Sequence, residues 1–575
     1  MYEFGRWLGW VLLIAAATVT PAGAEPPPDR PRVAPGLGAR MDSLLERYAA
    51  FGYAGVALVE HRGRFVLHRA YGMADRERDV ANRIDTRFAI ASITKGFTAA
   101  AVLRLAERSA LRTRDSLAQY FPGLPPDVAR ITIDQMLNHA SGLPAEAEDQ
   151  ELDTRTPATT AASLRKVRLR YAPGTDRLYS NLAFNVLARI VEQVAAQPFE
   201  RFVADSVIAR AGLMQTGFPS AAGADGQRVA RGYAGPVEAL TATHPPHTDA
   251  RLGSGSLVST AGDLHRWLTA LHEGRVVTQA AWQRMSSDST GNTACGWSRG
   301  RTGWGTPAIT SGGDWEGYHA DIYWFPDDSV TVTLTTNVSP NAFRWNSAVI
   351  RGIMRIVRAR EFALPPRVAR SDSTALARYA GRYRFDSGAT FDVSRKGAAL
   401  FVGAAGQAAV NQLAWPGKAP PEALPRCNAL ADSFVVALAA RDTTWIAPRC
   451  ETPEMLQTLK DWWARVESAG GTLRGRTVLG TAPKGPAKLE SFVRIETSRG
   501  DPVVVRLVWR SATLLLTAIG TGIPQPATTL FLPEGNDRFA AYDPPTDQVV
   551  RIAFESQGLS VLTAPGGAPV KAVRE

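Results

Sequence analysis

The pattern of apolar and polar positions predicts two β-hairpins with a mostly helical stretch between them. The hairpins cover residues 54–68 and 319–336, where two strand-like runs rich in apolar residues flank a short turn. Apolar residues recur at helical spacing over residues 38–51, 96–106 and 182–194. The segment 96–106 is apolar nearly all round, so we expect this helix to be buried. This arrangement predicts an α+β fold, in which an antiparallel sheet carries a helical lobe.

A Pro-containing linker at residues 363–372 separates this part from a region of shorter strands. Short strands are predicted at 381–385, 389–393, 399–402, 548–554 and 559–562. Two helices (428–440 and 455–468) and three long strands (492–497, 503–509 and 512–518) lie between these two groups. We therefore expect a small β-barrel formed by residues 373–423 and 521–575, interrupted by an α+β module at 424–520.

The N-terminus resembles an export signal. Residues 8–20 form a short apolar run that ends before Ala22-Gly23-Ala24, a small-residue cleavage pattern. We expect a signal peptide at residues 1–24, followed by a Pro-rich linker at 25–37. An uncleaved membrane anchor is the alternative, but the run is shorter than the roughly 20 residues that a span needs. We therefore expect an exported protein, periplasmic or secreted, with no stable transmembrane anchor.

The composition and the net charge of the chain limit the classes of function that it can have. The chain has 575 residues, of which 45% are hydrophobic and 21% charged, as in ordinary globular proteins. The net charge of +11 could suggest a nucleic-acid partner. The arginines, however, are scattered among acidic residues, and no basic run is interleaved with aromatic residues. We therefore expect no nucleic-acid binding.

Three cysteines are present, and export would permit a disulfide. Cys427 and Cys450 are the natural pair because both fall in one local segment. Cys295 would then be left over and buried.

Two motifs in the chain are weak candidates for chemistry. His244 and His247, with Asp249, have a metal-like spacing, but two intervening prolines prevent a helix from presenting both imidazoles on one face, and we expect no metal and no other cofactor. Residues 296–300 match the G-x-S-x-G pattern around Ser298, which in a nucleophile elbow follows an apolar strand. Polar turn residues precede it here, so we do not expect an elbow.

The Ser-x-x-Lys pattern occurs twice, and its context separates the two copies. Ser163 and Lys166 lie in a polar stretch dotted with arginines, so Lys166 is expected at the surface. Ser92 and Lys95 lie at the start of the buried helix, one turn apart on the same face. A lysine buried there is shifted toward its neutral form, in which it can activate a hydroxyl. The alternative is that Ser92 caps the helix and Lys95 extends to solvent.

Two further segments favour catalysis at Ser92. Tyr179 and Asn181 precede the helix 182–194; a phenol can relay a proton and an amide can hold a substrate carbonyl. The run Thr310-Ser311-Gly312-Gly313 lies just before the second hairpin, where glycines allow the backbone of a substrate to approach closely.

In order and spacing these motifs resemble the penicillin-recognising serine hydrolases: class C β-lactamases, DD-peptidases and family VIII esterases. Ser92-Ile93-Thr94-Lys95 corresponds to S-x-x-K and Tyr179-Ser180-Asn181 to Y-x-N. The phrases at 137–144 and 255–264 also match, outside the expected site. The resemblance covers roughly residues 40–360 and predicts a hydrolase domain at 38–362.

The resemblance implies acyl transfer without a cofactor. Ser92 would be the nucleophile, Lys95 the general base and Tyr179 the proton relay. Asn181 would position the substrate or the lysine. The backbone N–H groups of Ser92 and Gly313 would form the oxyanion hole.

The third signature of these hydrolases, K/H-T/S-G, departs from the pattern here. Thr310 stands where a lysine or histidine usually meets a substrate carboxylate, with Ser311 and Gly312 completing the substrate-binding motif. A threonine supplies no charge. We therefore expect an esterase or a peptidase of D-amino-acid substrates acting on a small molecule or a short, peptidoglycan-derived peptide. The alternatives are a DD-carboxypeptidase, a low-efficiency β-lactamase and a non-catalytic binder.

The C-terminal region resembles the lipocalin-like domain often attached to such hydrolases, with Tyr379-Ala380-Gly381-Arg382-Tyr383 as its opening phrase. The inserted module is more distantly similar to NTF2-like α+β cones. Neither carries a recognisable catalytic set, and we expect packing rather than ligand binding.

Overall fold

The computed structural model describes residues 27–147, 152–219, 229–235, 240–244, 251–287, 294–302, 304–340, 345–360, 364–369, 374–415, 420–483, 488–522, 529–535, 537–544, 547–556, 558–562 and 568–575. The expected signal peptide lies outside these ranges, as do His247 and Asp249 of the metal-like motif. Within them, no helix combines the length and the apolar character that crossing a bilayer requires.

A seven-stranded antiparallel sheet forms the centre of the N-terminal part. Its strands are β1 (Arg32–Val33), β2 (Gly55–His61), β3 (Arg64–Tyr71), β4 (Ser298–Arg301), β5 (Pro307–Trp315), β6 (Tyr318–Phe325) and β7 (Val330–Thr336). Their spatial order is β1-β3-β2-β7-β6-β5-β4, so the two predicted hairpins pair with each other through β2 and β7. Short strand pairs join Met73–Asp75 to Val80–Ala81, Phe88–Ala89 to Val258–Ser259, and Gly232–Gly235 to Thr241–Thr243 and Val338–Pro340.

Five longer helices surround this sheet: α1 (Leu37–Ala50), α2 (Thr94–Glu107), α3 (Asn181–Ala195), α4 (Ala261–His272) and α5 (Trp345–Val357). Shorter helical segments lie at Ala91–Ile93, Leu117–Gln119, Pro126–Ala129, Ile133–Leu137, Pro157–Leu164, Phe199–Val203, Ala204–Ile208, Ala209–Ala211, Gln279–Met285 and Pro326–Asp328. The predicted α+β architecture is confirmed, and helix α2 is buried along nearly its whole length, as expected.

The sheet is covered on both faces because alternate residues of β2 enter different cores. Ala57 and Val59 pack with α1 and α5, whereas Val56 and Leu58 pack toward Ala261 at the start of α4. A larger core joins α2 and α3 to form the helical lobe. Because β2 is buried on both faces, it reads as a continuous apolar run rather than a strict alternation.

The C-terminal region holds a closed eight-stranded barrel and a four-stranded sheet. The strands in chain order are β8 (Gly381–Phe385), β9 (Thr390–Lys396), β10 (Ala399–Ala405), β11 (Leu473–Pro483), β12 (Lys488–Thr497), β13 (Val503–Arg510), β14 (Leu516–Gly522), β15 (Thr529–Gly535), β16 (Arg538–Asp543), β17 (Gln548–Glu555), β18 (Gly558–Leu562) and β19 (Val570–Arg574). Strands β8–β10 and β15–β19 close the barrel, and β11–β14 form the separate sheet.

The barrel interior is filled by apolar side chains, including Phe391, Phe531 and Ile552. The four-stranded sheet packs against helices α6 (Gln407–Ala414), α7 (Leu424–Ala439) and α8 (Pro453–Gly470), with short helical turns at Ala375–Tyr379, Thr443–Ile446 and Ala447–Arg449. The predicted small barrel with an α+β insertion is therefore confirmed as an architecture.

Several elements differ from the sequence-based expectation. In the C-terminal region, strands β11, β15, β16 and β19 and helix α6 were not predicted. The last long strand begins at Leu516 instead of residue 512, because the segment after Arg510 turns back with Leu514 at a φ of 54° and its N–H donating to the carbonyl of Arg510.

The expected disulfide is wrong: Cys427 and Cys450 are free thiols, and Cys295 is buried, as expected. Cys427 is buried on α7 within the apolar core of the inserted module. The Sγ of Cys450 instead lies 3.6 Å from the carbonyl oxygen of Ile446. Closeness in sequence did not direct the two thiols toward each other.

Candidate active site

Ser92 lies in a single helical turn, Ala91–Ile93, directly before α2. Ala91 adopts a φ of 42°, an uncommon conformation for a residue with a side chain. The turn packs against strand β5, and its preceding residue Ile90 donates its N–H to the carbonyl of Leu257. The serine is thus held between the helical lobe and the sheet, where its side chain is partly exposed.

The amine of Lys95 is buried beside this serine. Its Nζ lies 3.0 Å from Ser92 Oγ, 2.5 Å from Asn181 Oδ1 and 2.8 Å from the carbonyl oxygen of Ser254, and the residue is 0% exposed. Burial lowers the pKa of Lys95 well below its ordinary value of 10.5; Glu146 opposes this shift and Arg251 adds to it. A neutral amine in this position can accept the proton of the serine hydroxyl.

Tyr179 approaches the same serine from the other side, with its Oη 2.6 Å from Ser92 Oγ. Although the residue is 40% exposed, desolvation raises the pKa of Tyr179 to about 12, so the phenol is protonated at neutral pH and can donate. The centre of its ring lies 4.5 Å from that of the His139 imidazole, with the two planes tilted by 31°, and 4.7 Å from Lys95 Nζ.

His139 is a site residue that sequence analysis had placed outside the site. Its Nδ1 accepts the backbone N–H of Ser180 at 3.1 Å. Burial, together with the charges of Lys95 and Arg177, lowers the pKa of His139 to about 3, so the ring is neutral at working pH. It serves as a flat, uncharged support beneath Tyr179.

Asn181 begins helix α3, where Ser180 caps the helix by accepting the N–H of Ala183. The Nδ2 of Asn181 donates to Glu146 Oε1 at 2.5 Å, and Glu146 Oε2 accepts from Arg251 Nη1 at 2.6 Å. The guanidinium of Arg251 also lies 5.4 Å from the ring of Trp315. Neither Glu146 nor Arg251 was predicted, because they are 105 positions apart and neither belongs to a local motif.

Strand β5 brings Gly313 against the turn that carries Ser92. A Cβ on Gly313 would lie 2.0 Å from the carbonyl oxygen of Ile90 and 2.9 Å from the backbone nitrogen of Ser92. Only glycine allows this approach, which places the two backbones that the oxyanion hole requires side by side.

The other residues of this motif take different positions along β5. Thr310 is half-buried and pairs with Ser298 of β4 and Tyr323 of β6. Ser311 is buried and donates its hydroxyl to the carbonyl of Gly296 at 2.8 Å, so its proton is used within the protein. Gly312 faces Asp321, whose Oδ1 lies 2.8 Å from the position of a Cβ there.

A cavity of about 410 Å³ opens at the far end of this strand. Its lining is largely polar and comprises Ala234, Gly235, Thr241, Asp314, Trp315, Glu316 and Ser339. It therefore adjoins Gly313 on one side and the Arg251–Trp315 contact on the other.

The weak motifs of the sequence have structural roles. Ser163 Oγ accepts from the N–H of Asp153 and donates to its carbonyl, and Lys166 is exposed. Gly296 has a φ of 80°, and a Cβ there would lie 2.4 Å from the nitrogen of Gly96, so this glycine permits contact with α2. Ser298 begins edge strand β4 and is not in an elbow.

Comparison with known proteins identifies the family. The Beta-lactamase family model matches residues 40–350, more than half of the chain. The chain belongs to this family. This family comprises serine hydrolases, and the curated relatives of the chain are named as penicillin-binding proteins, a peptidase and an esterase.

Curated relatives of this beta-lactamase-family chain differ in their named activities. D-alanyl-D-alanine-carboxypeptidase/endopeptidase AmpH of Escherichia coli is 28% identical, covering 46% of this chain and 68% of AmpH. Esterase EstB of Burkholderia gladioli is 31% identical, covering 32% of this chain and 52% of EstB. For the Bacillus subtilis protein PbpX the identity is 26%, over 44% of this chain and 64% of PbpX. The chain thus spans about half to two thirds of the length of these relatives.

The fold has a solved counterpart over nearly the full length. The octameric penicillin-binding protein homologue from Pyrococcus abyssi aligns with 94% of this chain and 100% of its own, with a TM-score of 0.51 and 16% identity. At this identity the similarity shows the fold alone.

Proposed function

We propose that this protein is an exported hydrolase that forms an acyl-enzyme on Ser92 with an ester or a peptide-like amide. The observation that carries the proposal is the position of Ser92 Oγ, 3.0 Å from Lys95 Nζ and 2.6 Å from Tyr179 Oη. The pKa shifts of the two groups are opposite and complementary: that of Lys95 is lowered and that of Tyr179 is raised. One can therefore accept a proton while the other holds one to donate.

The proposed reaction balances its protons within these three side chains. The hydroxyl proton of Ser92 moves to Lys95 as Oγ bonds to the carbonyl carbon, and the oxyanion accepts N–H bonds from Ser92 and Gly313. The tetrahedral intermediate then collapses, and the departing alcohol or amine takes a proton from Tyr179, which Lys95 reprotonates. Water, activated by the same groups, releases the acid and restores Ser92.

Thr310 favours substrates that lack a carboxylate at that position. A threonine can hydrogen-bond an uncharged group but cannot pair with an anion. Arg251 is the arginine that the structure brings next to Lys95 and Tyr179, and its charge is already paired with Glu146. The similarity to EstB supports the esterase side of the proposal, and the similarity to AmpH supports peptidase activity as the second candidate.

Export is the proposed location because residues 8–24 have the apolar run and the small-residue cleavage pattern of a signal peptide. The mature protein would begin at Glu25. Intact mass of the protein recovered from the cell envelope or medium tests this directly.

The hydrolase proposal is tested by intact mass after treatment with a fluorophosphonate and, separately, with penicillin. We expect one fluorophosphonate adduct on the native protein and none on Ser92→Ala, because Ser92 is the hydroxyl that Lys95 and Tyr179 contact. Ser298→Ala is the matched control, since it removes the serine of the G-x-S-x-G pattern and should still be labelled.

The treatment with penicillin distinguishes the two candidate functions. No penicillin adduct would support the esterase-like hydrolase, whereas a stable adduct or turnover of nitrocefin would favour a DD-carboxypeptidase or low-efficiency β-lactamase. Absence of labelling by either reagent in a folded protein would contradict both and leave the non-catalytic binder.

A further inference from the structure

Four side chains form a continuous hydrogen-bonded line that ends at the amine beside Ser92. Arg251 Nη1 donates to Glu146 Oε2 at 2.6 Å, Asn181 Nδ2 donates to Glu146 Oε1 at 2.5 Å, and Lys95 Nζ donates to Asn181 Oδ1 at 2.5 Å. From this line we propose that Glu146 and Arg251 are positioning residues of the catalytic site: Glu146 orients Asn181 and Lys95, and Arg251 balances the charge of Glu146. The inference rests on the proposed function of Ser92.

The carboxylate of Glu146 fixes the orientation of the Asn181 amide. An ionised carboxylate only accepts hydrogen bonds, so Glu146 forces Asn181 to turn its NH2 group outward and its Oδ1 toward Lys95. The carbonyl oxygen of Ser254, 2.8 Å from Nζ, is likewise an acceptor. A neutral amine has two N–H bonds and one lone pair, and these two acceptors use both N–H bonds. The lone pair is left for the hydroxyl of Ser92, which is the geometry that proton removal requires.

The ion pair of Glu146 and Arg251 also sets the charge around the amine of Lys95. Of the charged side chains in the described part of the chain, Glu146 and Arg251 act on Lys95, in opposite directions. The other titratable groups that face its amine are uncharged at neutral pH: Tyr179, with a pKa of about 12, and His139, with a pKa of about 3. The ion pair therefore lets a carboxylate orient Asn181 without holding Lys95 in its protonated form.

The test is the pH dependence of fluorophosphonate labelling, measured as the second-order rate constant on the full-length protein. The reagent does not ionise, so the acidic limb of the profile reports groups of the free enzyme. In Arg251→Gln the unpaired Glu146 should favour protonated Lys95 and move the midpoint of this limb to higher pH by about one unit. In Glu146→Gln the unpaired Arg251 should move it to lower pH by a similar, roughly one-unit amount.

Two further variants control for folding and packing. The double variant Glu146→Gln/Arg251→Gln removes both charges and should return the midpoint close to that of the native protein. Arg251→Lys keeps the positive charge and should leave the midpoint unchanged. Thermal unfolding of each variant, followed by circular dichroism, identifies any that fails to fold.

The outcomes separate this inference from the proposed function. Suppose that the native protein is labelled at Ser92, but the labelling rate constants of the two single variants fall by the same factor at every pH, or their midpoints shift in the same direction. Glu146 and Arg251 then have only a structural role, and the inference is overturned. If the native protein is not labelled at all, the proposed function itself fails. The inference is supported if the midpoints of the two single variants shift in opposite directions and the double variant has a midpoint close to that of the native protein.

Discussion

At the scale of single residues, the site depends on contacts between segments that are remote in sequence. Ser92, Lys95, Tyr179 and Asn181 were predicted from their motifs, and the structure brings them together. Glu146 and Arg251 could not have been predicted, because their pairing arises from tertiary structure and neither has a local signature.

Gly313→Ala should reduce labelling of Ser92 and hydrolysis of a p-nitrophenyl ester by about 10²- to 10³-fold, the range for loss of an oxyanion-hole donor. The added methyl would collide with the carbonyl of Ile90 and press on the nitrogen of Ser92, separating β5 from the turn. The matched control is Gly300→Ala on β4, where a Cβ would meet nothing within 4 Å. Equal activity of Gly313→Ala and the native protein would exclude Gly313 from the site.

At the scale of elements, β5 is linked to β6 by a charged cluster around the buried His319. His319 Nε2 lies 2.9 Å from Asp321 and its Nδ1 lies 3.4 Å from Asp314, and Asn346 of α5 donates to Asp321 at 3.0 Å. Burial alone would lower the pKa of His319, but the two carboxylates outweigh it and raise this pKa to about 9. The protonated imidazole thus links both strands directly behind Gly312 and Gly313.

This cluster predicts a loss of stability in alkaline solution. Because the folded-state pKa of about 9 exceeds the ordinary value of 6.5, the stabilisation is complete below pH 6.5 and is lost as the pH rises through 9. It amounts to at most about 3 kcal/mol in the free energy of unfolding. Urea unfolding of the native protein and of His319→Gln at pH 6.5 and pH 9.5 measures this contribution. The free energy of unfolding of the native protein should fall between the two pH values, and that of the variant should fall less. An equal pH dependence in both would rule out this role for His319.

Helices were easier to predict than the strands of the C-terminal region. Helix α3 was expected at 182–194 and spans Asn181–Ala195, because its apolar period is strong and Ser180 marks its start. Strand β11 was missed because its first half is polar and half-exposed, LRGRT, and carries no alternating apolar signal. Strands β15 and β16 were missed because they are stabilised by pairing within the closed barrel. A local sequence pattern carries no information about this pairing.

At the scale of the whole molecule, the barrel docks on the helical face of the sheet formed by α1 and α5. The ring of Tyr542 on β16 lies 5.7 Å from that of Tyr48 on α1 in a tilted arrangement, within a core shared by the two regions. Asp547 pairs with both Arg351 and Arg355 of α5. Ser92 lies with the helical lobe, whose core is separate from the one that the barrel enters. The described barrel residues that contact the N-terminal part pack on α1 and α5 rather than on the site.

Replacing Asp547 should weaken this docking without disabling the site. In Asp547→Asn the two arginines lose their partly buried partner, which should lower the free energy of unfolding by up to about 3 kcal/mol. Differential scanning calorimetry should show an earlier transition, while fluorophosphonate labelling of Ser92 at 25 °C stays unchanged. The control is Asp537→Asn, which breaks an exposed pair with Arg378 and should cost less than about 1 kcal/mol. Loss of labelling in a folded Asp547→Asn protein would falsify the separation of barrel and site.

The pairing of β2 with β7 also determines how much of the chain must be present before the site can form. A nascent chain that ends before Val330 already contains Ser92, Lys95, Tyr179, Asn181 and Gly313, yet its first hairpin has no partner and its central sheet is split in two. A product that terminates before Val330 would therefore carry every side chain of the proposed site without the paired sheet that aligns them. We expect labelling of Ser92 to appear only in chains that extend past Thr336.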